Sequence, residues 1–124
     1  MTILTSQEIA RYRSELAECP GALAALDTIE DCEGDLEDAA ISLGIQVGQQ
    51  PDRGDWLDGL AKRCRVAICQ EEFQESLVRG ELAPVVNHLV AQKICPAILA
   101  TPVAIYAIEQ GIEQFCEPLS FKQL

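Results

Sequence analysis

At 124 residues and 13.5 kDa, with 48% hydrophobic and 23% charged residues, the chain has the size and apolar content of one folded domain. Its 20 acids against 9 Lys and Arg leave a net charge of −11, a field that repels phosphate backbones and argues against nucleic acid as a partner. Only 5% is aromatic, so the core must be built of Leu, Ile, Val and Ala, a mix that suits helices. The reading is an all-α domain over 1–124, a compact bundle of six or seven short helices.

The first element opens on Thr5–Glu8, a capping box in which the Thr hydroxyl reaches forward and the Glu carboxylate reaches back. Ile9, Tyr12 and Leu16 then recur at helical spacing until Cys19–Pro20–Gly21 stops the helix. Pro20 suits the first turn of a second helix with Leu23, Leu26 and Ile29 inside. Gly34 breaks that helix, and Asp35 is the N-cap of a third, striped by Leu36, Ala40, Leu43 and Val47. Residues 48–55 read as a loop. Asp55 caps a fourth helix whose apolar face carries Trp56, Leu60, Cys64, Ala67 and Ile68; Trp56 is expected to be a packing residue. Phe73 and Leu77 belong to a segment closed by Gly80, and Pro84 opens a helix with Val85, Val86, Leu89 and Val90 inside. No stretch alternates at period two between turn signals, so no strand is expected.

Residues 94–108 hold no charge and are nearly all apolar. As a helix that run is about 22 Å long, short of the roughly 30 Å of a bilayer core, so it does not read as a membrane span. Thr101 and Pro102 have the form of N-cap and N1, which divides the run into two helices. From Pro102 onward Ile105, Ile108, Ile112 and Phe115 face one way. A helix apolar on every side is buried on every side, at the centre of a bundle or in a subunit interface. Ile98, Leu99, Val103, Ile105, Tyr106 and Ile108 are more large apolar groups than one helix face can hide, which predicts a homo-oligomer, a dimer joined along this seam.

Candidate chemistry is sparse. Cys64 and Cys69 are the closest cysteine pair, but their spacing sends them to different helix faces and no second pair matches it, so no metal site is expected. The opening residues lack a basic, long-apolar leader, so the six cysteines read as reduced thiols of a cytoplasmic protein rather than structural disulfides. His88 would need a cysteine nucleophile and an orienting acid from elsewhere in the fold; otherwise it is a boundary residue half in solvent. There is no phosphate-binding glycine loop and no serine elbow, and neither a catalytic residue nor a cofactor is assigned. The acid run from Asp27 to Asp38 fails as a calcium loop, having Leu36 at the turn glycine and Ser42 at the twelfth position. Asp27, Glu30, Asp31 and Glu33 are then either a solvated face or a docking surface for a basic partner. Lys62–Arg65 is the one basic cluster, within reach of Glu71, Glu72 and Glu75. These features describe a non-enzymatic interaction or adaptor module that self-associates or docks to a larger protein. The alternative is an acidic inhibitor or antitoxin-like protein masking a basic surface.

Overall fold

The computed structural model describes residues 2–51 and 54–122. Nine helices form among them, two or three more than the sequence predicts: α1 (Ser6–Glu15), α2 (Ala22–Asp31), α3 (Leu36–Gln46), α4 (Trp56–Arg63), α5 (Arg65–Ile68), α6 (Glu71–Val78), α7 (Ala83–Ala91), α8 (Ala97–Glu109) and α9 (Ile112–Lys122). The described residues form no strand. Their one β contact is an antiparallel bridge between Ile3 and Asp35, flanked by hydrogen bonds Leu4 N–H to Gly34 O and Leu36 N–H to Thr2 O, each 2.9 Å. Gly34 makes this approach possible, since its φ is +85° and a Cβ there would fall on the Leu4 carbonyl. Glu37 completes the tie by accepting from the Thr2 amide and hydroxyl at 2.9 and 2.7 Å.

Local side-chain caps place the starts of α1 and α3. The capping box at Thr5 and Glu8 is formed in both directions, and Asp35 accepts from the Asp38 amide at 3.1 Å to cap α3. Pro20 lies outside α2, which begins at Ala22 after a left-handed Gly21. The inner face of α2 is accordingly Ala22, Ala25, Leu26 and Ile29, with Leu23 turned outward. On α4 the register is also one residue from the prediction: Leu57 and Ala61 are buried, followed by Cys64, while Trp56 is half-buried. The Trp56 ring rests against Gly44, where a Cβ would come within 2.6 Å of it. Part of the predicted 48–55 loop, residues 52 and 53, lies outside the described residues.

The largest departure concerns the apolar run. It is one helix, α8, with Pro102 inside it rather than two helices divided there. The proline removes a hydrogen bond to Ile98 O and crowds that carbonyl, a cost of about 3 kcal/mol in an exposed helix. Burial outweighs the cost: every residue from Leu99 to Ala107 is buried, and α8 packs against α2, α3, α4, α7 and α9. The helix ends instead at Gly111, at φ +88°, so Ile112 and Phe115 belong to α9. α8 is the central post of the bundle.

Candidate functional site

Two helix N-termini meet beside this post. The first two turns of α3 bring Asp35, Glu37, Asp38 and Ile41, and the start of α4 brings Gly54, Asp55 and Asp58, around a cleft of about 510 Å³ that Tyr106 of α8 also lines. Five carboxylates in one cleft repel one another. The positive ends of the two helix dipoles, where anions are favoured, offset part of that repulsion. Asp58 is anchored through both of its oxygens. It accepts from the Tyr106 hydroxyl at 2.6 Å and pairs with Lys62 at 2.7 Å on its other oxygen. Burial pulls its pKa up, but the bonds from Lys62 and Tyr106 outweigh burial and hold it below the usual carboxylate value. Burial and the same bond push the Tyr106 phenol well above its ordinary value. Asp38 faces Cys32, whose thiol is raised first by burial and then by that carboxylate.

Beyond the cleft, two of the four acids predicted as a docking face are paired within the chain. Arg13 of α1 bridges Asp27 at 2.7 Å and Glu30 at 2.8 Å, which explains anions at the unfavourable end of α2. Asp31 and Glu33 are exposed, Glu33 in a left-handed turn at φ +58°. The acids that converge are thus a few residues further along the chain than the four singled out. The signal for them is in the sequence, as aspartates at two helix starts, Asp35 and Asp55, each followed by an acid three residues on; Asp35 makes the predicted cap bond, whereas Asp55 stands at the N-cap position of α4 without a side-chain cap bond.

Among the described residues no ion pair joins the basic cluster to Glu71, Glu72 or Glu75. Lys62 pairs with Asp58, the Arg65 guanidinium lies 5.0 Å from the Phe115 ring centroid, and Arg79 holds Glu75 at 2.8 Å. His88 is half-buried with its ring 5.1 Å from that of Phe73.

The cysteines correct a second expectation. Cys69 and Cys116 form a disulfide, with Cα atoms 5.7 Å apart, joining the end of α5 to α9. Spacing along the chain could not reveal it, because the two are brought together by the packing of α5 on α9. Cys19, Cys32, Cys64 and Cys95 are free.

The six residues expected at a dimer seam divide unequally. Leu99, Val103 and Ile105 are wholly buried and Tyr106 is 7% exposed, all within the single chain; Ile98 and Ile108 are half-buried. The apolar surplus that motivated the seam is therefore covered by α2, α3, α4 and α7. Among the described residues no helix is long and apolar enough to cross a membrane. Comparison with family models, with curated proteins and with solved structures finds no match to this chain.

Proposed function

We propose that this chain is a non-enzymatic, acidic helical binding module that docks to a larger protein by receiving a basic segment in the α3–α4 cleft, masking that partner's basic surface. The observation that carries the reading is the convergence of Asp35, Glu37, Asp38, Asp55 and Asp58 on one cleft with an aromatic ring, Tyr106, in its wall. A Lys or Arg side chain entering it would meet carboxylates for its charge and a ring for its stem. The net charge of −11 would speed the encounter. A cytoplasmic setting belongs to the same proposal; the four free thiols favour it and the Cys69–Cys116 disulfide weighs against it.

The test is titration with an arginine-rich peptide over a range of ionic strength. Affinity should fall steeply with salt and drop further in Asp38→Lys, which reverses one charge of the cleft without removing a helix cap. Binding indifferent to both salt and Asp38→Lys would remove the proposal.

Self-association, the second reading, keeps one observation in its favour. Val78, 72% exposed, stands with Ile108 and Ile112 along a groove of about 610 Å³ between α6 and the α8–α9 turn. Light scattering at low micromolar protein tests it: a dimer mass reduced to a monomer by Val78→Asp would support this groove as the seam.

A further inference from the structure

A buried aromatic ring and a disulfide fasten α9 to the bundle. Across residues 112–119 only Phe115 is buried, with the Arg65 guanidinium 5.0 Å from its ring centroid; Glu113, Gln114, Glu117 and Pro118 are exposed. The covalent tie is the Cys69–Cys116 bridge to the end of α5. Neither half of that bridge is enclosed, since Cys69 and Cys116 are both half-buried. Cys116 also lines a cleft of about 230 Å³, with Gln74 and Val78 of α6 on one side and Ile112 and Glu113 of α9 on the other. At its start α9 joins α8 through Gly111, at φ +88°, where a Cβ would meet nothing within 4 Å. The junction is thus a glycine in open space, free to turn.

We propose that the Cys69–Cys116 bridge is an exchangeable disulfide, opened at Cys116 by a dithiol reductant entering the α6–α9 cleft, and that its opening releases α9. Partly exposed disulfides are the ones that thiols reach and reduce, whereas enclosed ones persist. A thiolate of the reductant attacks the Cys116 sulfur from the cleft. A new S–S bond forms there, the Cys69–Cys116 bond breaks, and Cys69 leaves as a thiolate that takes up the proton the attacking thiol had lost. The second thiol then attacks the reductant's own bridged sulfur. The reductant closes to a disulfide, and Cys116 leaves and takes up the second proton. The bridge gains two electrons and two protons in all, and the dithiol loses the same. With the covalent tie gone, Phe115 is the one buried anchor left across residues 112–119. α9 then swings on Gly111, uncovering the Phe115 ring and the parts of α5 and α8 on which α9 packs.

The test uses the full-length oxidised chain in native buffer, with reduced dithiothreitol as the dithiol and timed pulses of iodoacetamide before peptide mapping. Alkylation should appear at Cys69 and Cys116 together, while the buried thiols Cys19, Cys64 and Cys95 stay unmodified because the rest of the bundle remains folded. Mercaptoethanol, a neutral monothiol chosen because Glu113 stands in the cleft wall, should be caught early in the reaction as a mixed disulfide on Cys116. Deuterium exchange on the reduced chain should show loss of amide protection across 113–119, with protection of 99–107 kept. A bridge that resists dithiothreitol until denaturant is added would overturn the proposal, as would a mixed disulfide on Cys69 alone. Protection of α9 unchanged by reduction, or lost together with that of α8, would overturn it too.

Discussion

Thr101 and Tyr12 each hold a hydroxyl in the protein interior with no hydrogen-bond partner among the described residues. An unpaired buried hydroxyl forfeits its hydration and gains nothing in return. Thr101→Val, which keeps the branched shape, should therefore raise the unfolding free energy by about 1 kcal/mol in a urea titration. Lys93 presents a different strain, with φ at +55°. It occupies the left-handed position just past α7, where Lys93 N–H bonds Val90 O at 3.1 Å and Ile94 N–H bonds Leu89 O at 3.0 Å. That position suits glycine, and Lys93→Gly should stabilise by about 1 kcal/mol in the same assay. Glu109 is a third case. The residue is exposed as a whole, yet desolvation of its carboxyl, with the hydrogen bond and charge of Glu8, lifts its pKa above the ordinary 4.5. A carboxyl raised in the folded state favours folding when protonated, and that advantage disappears as pH rises through its folded pKa. Glu109→Gln should thus unfold at a slightly higher temperature than the parent chain at pH 7, by less than about 1 kcal/mol because solvent screens the pair. The gap should close in acid below the ordinary carboxyl range.

Among the elements, α7 shows what could and could not be read from local sequence. Its apolar positions Val85, Val86 and Leu89 are legible from spacing, and all are buried. Pro84 in its first turn marks the start as the sequence predicts, but the cap is not legible, because the N-cap is Leu82, which has no side chain for the task. The cap comes from α1: Glu15 accepts from Leu82 N–H at 2.8 Å and from Ala83 N–H at 2.9 Å. Glu15→Ala should cost about 1–2 kcal/mol by denaturant titration, since the half-buried carboxylate caps a helix other than its own. The same division holds elsewhere. Thr5, Glu8 and Asp35 act within a few residues of their targets, so the sequence announces them. Pro102 misleads because a proline's local preference for a helix start yields here to burial from five neighbouring helices. For the candidate site, each acid was visible in the chain. What only packing supplies is that the starts of α3 and α4 face the same cleft with Tyr106 beside them.

At the scale of the whole molecule, the Cys69–Cys116 bridge joins residues 47 apart and fastens α9 to α5. Cross-linking of this span restricts the unfolded chain, typically by 2–4 kcal/mol of added stability. Mild reduction should lower the unfolding free energy by about that amount in a guanidinium titration monitored by circular dichroism. An unchanged midpoint would mean that packing alone holds α9. The position of α8 has a further consequence, for how the chain is made. Synthesis proceeds from the N-terminus at about 5–20 residues per second. The helix that α2, α3, α4 and α7 all lean on is the eighth of nine in chain order. While the first seven helices leave the ribosome, their inner faces have no post to close on, and those apolar faces stay open to solvent and to chaperones. The bundle can complete only after residue 109 has emerged, so the seven helices made before it must wait for the one they pack on.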